Sequence, residues 1–397
     1  MILSATMTKR KPPLVDDDMK TASLLEYFAQ VPDPRLKRSR LHPLASILAL
    51  SVCAVIGGAN SFVEIEYFGR AKQTWFRTFL DLPNGIPSHD TLGRTFAMID
   101  PKALERAFRE WVSALATLTK GEVVAIDGKT LRRSFQKAGS SAFVHMVSAW
   151  STGNRMVLGQ VKTEEKSNEI TAIPRLLELL QLNGCLVTID AMGCQKDIAT
   201  KIVESKSDYM LAVKDNQPTL ASSIVGIFDE ALQEPAFAAS HHQTEDKGHG
   251  RIEIRRCWTM NLDAECGAPF DKWTALSGIV RVETQRTLAG KTSVEQRHYI
   301  TSRRDFSPED ALAASRSHWG IENQLHWVLD VAFREDDCRV RAGNAAENFA
   351  VIRHVALNLI RAAKNADPKF DKASVRTKRI VAAVNEEYML RLLGIHS

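Results

Sequence analysis

A chain of 397 residues, 44% hydrophobic and 25% charged, has room for two or three structural units. Its ordinary composition excludes collagen-like, coiled-coil and wholly disordered classes. A net charge of +5 is compatible with a polyanionic partner but names none. Six cysteines (Cys53, Cys185, Cys194, Cys257, Cys266 and Cys338) are scattered without a C-x-x-C pair. That argues against a zinc ribbon, a thioredoxin-type motif or a disulfide scaffold, and fits a reducing compartment.

Residues 1–20 are polar, carry no periodic pattern and read as a flexible tail. Residues 21–118 read as several short helices. The first starts at Thr21 and stops before Pro32-Asp33-Pro34, and a basic stretch follows with Arg35, Lys37, Arg38, Arg40 and His42. Segment 44–58 is apolar and follows basic residues. It begins too far into the chain for a signal sequence and is shorter than the roughly 20 residues of a spanning helix, so a buried helix is expected and no membrane partner. Pro87-Ser88-His89-Asp90 caps the next helix, and Pro101 opens another. Short helices with basic surfaces suit a small DNA-binding domain. A helical packing or dimerisation module has the same signature.

At Gly121 the hydrophobic period changes. Segment 122–126 is a short apolar run between glycines and reads as a buried strand. Segments 143–152 and 155–162 read as two more strands, turned by Ser151-Thr152-Gly153-Asn154. A helix over 168–182, a strand over 185–189, a helix over 197–206 and a strand over 209–213 follow. Three meandering strands and then alternating units imply a mixed sheet with helices on its faces, an α/β catalytic core over 119–215 and 301–365. Residues 216–300 break the alternation. A helix over 217–232 and strands over 251–260, 273–284 and 293–301 predict a β-rich insertion. Ser307 and Pro308 then open a helix expected to run unbroken through Phe333. Another helix is expected over 344–364, and residues 366–397 form a basic C-terminal segment.

Two acids sit where buried strands end: Asp127 in Ala125-Ile126-Asp127-Gly128-Lys129, and Asp190 in Thr188-Ile189-Asp190-Ala191. That is the edge where α/β proteins place ligands, although a lone strand-end Asp is commonly a turn or helix cap. A close carboxylate pair repels itself unless a proton or cation intervenes, and a hard divalent ion does this with oxygen ligands. Glu322 is the third candidate. On an α-helix it shares a face with Leu325 and Leu329, a stripe expected to look inward. The alternative for Glu322 is a salt bridge to Arg316. Lys129, Arg132 and Arg133 follow the first acid and could hold phosphates, or be solvated loop charge. His249 and Arg251 flank Gly250 at the start of an insertion strand and suit DNA contact or a turn; His241 and His242 have no partners at zinc spacing. Trp319 and Trp327 are expected in the core.

The run from His318 to Arg361 (HWGIENQLHWVLDVAFREDDCRVRAGNAAENFAVIRHVALNLIR), with VVAIDGKTLRRS and VTIDAMGCQ, resembles the insertion-sequence transposases of the ISAs1 group, H-repeat-associated type, within the IS4-like DDE transposases. LLEYFAQVPDPR and IPSHDTLGRTF are similar to the helical domain that precedes the core there. The resemblance implies an RNase H-like core with a β-rich insertion between the second and third acids. It makes Asp127, Asp190 and Glu322 the DDE residues and ligands of two Mg²⁺ or Mn²⁺ ions. The implied partners are double-stranded DNA (terminal inverted repeats and target) and a second copy in the DNA complex, in a cytoplasmic, nucleoid-associated setting. The implied reaction is water attack freeing a 3′-OH, which then attacks target DNA. IS4-like proteins carry a tyrosine, an arginine and a lysine around the glutamate. Here Ser315, His318 and Leu329 hold those spacings, so only Arg316, His318 and Arg334 stand nearby as substitutes. A DNA-binding remnant without catalysis and a metal-dependent nuclease without strand transfer are the alternative readings.

Overall fold

The computed structural model describes residues 24–132, 143–163, 169–248, 250–263, 266–363 and 367–395. The expected helix start at Thr21 and the site candidates Arg133 and His249 lie outside them.

One nine-stranded sheet organises the chain. Its strands are β1 (Val123–Leu131), β2 (Val144–Ser151), β3 (Met156–Lys162), β4 (Leu186–Ile189), β5 (Asp208–Val213), β6 (His242–Gly248), β7 (Arg251–Asn261), β8 (Gly278–Leu288) and β9 (Lys291–Thr301). Their order is β3-β2-β1-β4-β5-β9-β8-β7-β6. β1 pairs antiparallel with β2, and β2 with β3; β4 joins β1 in parallel, and β5 joins β4 in parallel. Three meandering strands with two parallel ones at the inner edge of the first is the RNase H-like arrangement. The parallel strands are connected by the Glu169–Leu179 and Lys196–Glu204 helices, as the crossover geometry of parallel strands requires.

The insertion continues this sheet. β9 pairs antiparallel with β5 over Met210–Val213, and β8, β7 and β6 extend outward from it. Two expectations are corrected here. The strand expected from Trp273 starts at Gly278, because Phe270–Lys272 forms a 3₁₀ turn that buries Phe270 and Trp273. β6 (HQTEDKG) was not foreseen, since a polar, largely exposed edge strand carries no hydrophobic alternation to detect.

Helices cover the sheet on both faces, the Pro308–Gly320 helix packing on β1, β4 and the insertion strands β6, β7 and β8. Every residue of the Leu44–Ile56 helix except Ala45 is buried, as expected of a helix apolar on all faces. Among the described residues no helix is long and apolar enough to cross a membrane. It packs on the Ala345–Ala362 helix, which in turn covers β3. The free edge of β3 is closed by side chains. Asn358 accepts from the Val157 N–H and donates to the Val157 carbonyl, both at 2.9 Å, and buried Glu105 accepts from the Gln160 N–H at 2.9 Å. The helical segment thus shares one hydrophobic cluster with the catalytic half.

Much basic character is spent inside the helical layers. Arg35 is buried on Asp33 (2.7 Å) and on the His42 carbonyl (2.7 Å), and Arg40 donates to the Arg35 and Asp33 carbonyls. Of that basic stretch Lys37 and Arg38 stay exposed with no internal role. In the C-terminal segment Lys378 and Arg379 are buried. Arg379 donates to the Val55 and Ile56 carbonyls and so caps the Leu44–Ile56 helix.

Candidate active site

Asp127 lies within β1 and Asp190 directly follows β4. The parallel register pairs Ile126 with Ile189, so the next residue on each strand is an acid, at neighbouring positions about 4.8 Å apart in the sheet direction. Asp190 caps a 3₁₀ turn, its Oδ1 accepting from the N–H groups of Met192 (3.0 Å) and Gly193 (3.3 Å). Gly193 is required there, since a Cβ would stand 2.2 Å from Ile189 Cγ2. Burial pushes the Asp190 carboxyl above the usual range. The Gly193 hydrogen bond opposes this, and the charges of Asp127 and Glu169 add to it.

The Pro308–Gly320 helix, capped by Ser307 as its sequence predicted, carries the chain to the third acid. It does not run on unbroken. Ile321–His326 is a π-helical segment with wider turns, and an α-helix resumes over Trp327–Phe333 until Arg334 ends it in the left-handed region. Such insertions recur at functional sites. The wider winding takes Glu322 out of the inward stripe expected for it: Leu325 and Leu329 are buried while Glu322 is exposed at the mouth of the site. Its carboxyl group lies close enough to that of Asp127 for each to shift the other's pKa. Burial and this contact push Glu322 above the usual carboxylate range. Burial also pushes Asp127 up, but the neighbouring His326 and Glu322 side chains outweigh it and hold Asp127 below its usual value.

Two histidines flank the acids. His326 Nε2 stands 3.3 Å from Asp127 Oδ2, nearly shielded from solvent. His318 Nδ1 is 3.1 Å from Thr188 Oγ1; burial lowers its pKa against the pull of Asp127 and Asp190. His326 was missed in the sequence, although its position four residues after Glu322 was a usable signal. A second pair, His145 and Glu169 at 2.7 Å, slides past β1 only because residue 128 is glycine: a Cβ there would be 2.1 Å from Glu169 Oε1.

The other candidates divide. Lys129 turns largely inward, in contact with Asp330 and Glu335. Glu335 is buried. Arg132 is exposed and 3.4 Å from Asp336, and Arg334 is exposed and 3.0 Å from Asp337. Arg316 pairs with Asp246 at 3.2 Å, not with Glu322. Ser315 and Leu329 are buried, Ser315 on the Tyr299 hydroxyl. Trp319 and Trp327 are not in the core: they are 44% and 60% exposed, on either side of Glu322. Trp319 lies under the Arg297 guanidinium, 4.6 Å from the ring centre. It closes a groove whose far wall is one face of the insertion sheet, with Arg251, Arg255, Arg286 and Arg297.

By donor chemistry, Asp127, Asp190 and Glu322 suit a hard divalent cation. Among the described residues no three His, Cys, Asp or Glu side chains already stand as a ligand set, and Asp190 is turned onto its own backbone.

Residues 118–359 match the family described as Transposase DDE domain, and residues 25–112 match its associated domain. The chain is 44% identical over 383 residues to YncI of Escherichia coli O157:H7, covering 95% of each. It is 38% identical over 389 residues to the H repeat-associated protein YhhI of Escherichia coli strain K12, covering 95% of this chain and 99% of that one. Among solved structures, a piggyBac transposase synaptic complex with hairpin DNA aligns loosely, with TM-score 0.43 and 13% identity over 88% of this chain and 71% of that one.

Proposed function

We propose, on the premise that the chain belongs to the DDE transposase family, that Asp127, Asp190 and Glu322 are its catalytic acids. In this reading it cuts the ends of its insertion sequence and joins the freed 3′-OH to target DNA. The observation that carries it is the contact of Glu322 with Asp127 beside Asp190, three carboxylates drawn from distant parts of the chain onto one sheet edge. Family membership carries a divalent-metal requirement, and the three acids would hold two ions, Mg²⁺ or Mn²⁺. When bound, such ions polarise a phosphoryl oxygen and lower the pKa of an attacking water. His326 orients Asp127, and His318 stands near both aspartates with its pKa lowered by burial. The Trp319 groove, with its arginines and Arg316, supports a DNA strand passing beside Glu322, its phosphates met by guanidinium groups. Arg132 and Arg334 are exposed where a flanking duplex would run. Two copies acting on two paired ends complete the reading.

The test is a strand-transfer assay with DNA carrying the inverted repeats that flank the gene, in Mg²⁺ or Mn²⁺. Joined products that vanish in chelator are expected. Hydrolysed ends without joining would make the protein a nuclease, and end binding without cleavage would make it a remnant.

A pH dependence follows from the raised pKa of Glu322. Cation binding must displace the proton that Glu322 holds above the ordinary glutamate value of 4.5. Mn²⁺ affinity is therefore expected to rise about tenfold per pH unit just above that value and to level off once Glu322 ionises. A calorimetric titration showing affinity flat across that range would remove Glu322 from the ligand set.

A further inference from the structure

We infer that Lys129 is a positioning residue whose ammonium clamps the π-helical segment bearing Glu322 against the strand bearing Asp127. The inference rests on the assignment of these acids proposed above.

Lys129 lies two residues beyond Asp127 on β1, on the same face of the strand. Its side chain is 11% exposed, and its ammonium reaches three acceptors on three successive pieces of chain. These are the His326 carbonyl at the end of the π segment (3.4 Å), the Asp330 carboxylate in the following α-helix, and Glu335 Oε2 in the next turn (3.0 Å). Glu335 is 2% exposed and continues the chain of charges: its Oε1 stands 3.5 Å from Nη1 of buried Arg353, whose guanidinium lies on the Phe349 ring. The network thus ties β1 to the whole stretch 326–335, and through Arg353 to the long Ala345–Ala362 helix.

The geometry explains why a clamp is needed here. Glu322 belongs to a π segment, whose winding leaves it outside the buried leucine stripe, so apolar packing does not fix its carboxyl group. Lys129 reaches the backbone of that same segment from the strand that carries Asp127, setting the distance between the two acids. His326 on Asp127, on the same segment, is a second link between segment and strand, and Glu322 itself meets Asp127. A charge-balancing lysine would need no contact with the His326 carbonyl.

The test uses the full chain without DNA, with Mn²⁺ as the probe, read by the electron paramagnetic resonance of free Mn²⁺ and by thermal melting. Lys129→Met is expected to weaken Mn²⁺ binding at least about tenfold, the scale of losing an outer-shell support. The sign is decisive. Removing a positive charge near a cation site should by electrostatics alone tighten binding, so unchanged or tighter binding overturns the clamp. If Lys129→Met does not fold, Asp330→Ala decides. It removes one anchor at a half-exposed position, and at about 0.5 M salt its charge effect is screened while the lost anchor is not. A loss of about threefold or more is then expected, and wild-type affinity overturns the inference. Asp127→Asn separates the two readings. Wild-type Mn²⁺ binding by that variant, or none by the wild type, defeats the acid assignment itself. Loss of binding by Asp127→Asn with none in Lys129→Met or Asp330→Ala defeats only the clamp.

Discussion

Glu322→Gln is expected to abolish DNA cleavage, whereas Asp336→Asn and Asp337→Asn retain it. The amide keeps the shape of Glu322 and can still touch Asp127, but it carries no charge for a cation. Losing a cation's support at the phosphate is worth several kcal/mol, a rate loss of about a thousandfold or more. Asp127→Ala and Asp190→Ala should fall with it while end binding, measured by gel shift, stays near wild type. The acids at 336 and 337 follow the close of the helix at Arg334 and pair with Arg132 and Arg334 near the surface. Such pairs contribute about 0–1 kcal/mol, so their removal changes little. Glu335 is unsuitable as a third control, because emptying its buried place between Lys129 and Arg353 would disturb the fold. Full cleavage by Glu322→Gln would move the third acid elsewhere.

Truncation after residue 365 is expected to unfold the protein, not merely to trim a tail. The segment removed buries Tyr388, Met389 and Leu392, and its Arg379 caps the central Leu44–Ile56 helix. At roughly 1.5–3 kcal/mol for each large side chain, the loss is about 5–9 kcal/mol, comparable to a typical folding stability of about 5–15 kcal/mol. Circular dichroism of the truncated chain should show no cooperative melting transition; a melt like that of the full chain would refute this. The same packing bears on the helical segment 21–118. Cut free, it would expose the Leu44–Ile56 helix, so its role in end recognition is to be probed in the whole chain.

The sequence by itself determined what depends on near neighbours along the chain. β1, β4 and β5 were legible as short apolar runs because strands covered on both faces need no polar alternation. Ser88 and Ser307 were legible as caps because a hydroxyl reaching an N–H three residues on is a local matter. Asp190 could be singled out because it stands where a recognisable strand ends; Asp127, read as a strand end, lies inside β1, where the pairing with β4 stops and the pairing with β2 continues to Leu131. Only the tertiary structure decided what stands across from each polar residue. Lys129 and Asp330 are separated by 201 residues in sequence and meet in space, so a lysine that reads as a phosphate contact is an internal anchor. Trp319 is the kind of side chain a core takes, yet the groove it lines opens beside Arg297 of the insertion strand β9. The π winding at Ile321–His326, which sets where Glu322 points, has no periodic signature in six residues. Apolar periodicity records which face a segment buries. The partner of a buried charge is chosen by how distant segments pack, because its large desolvation cost is met only at the one place where opposite charges converge.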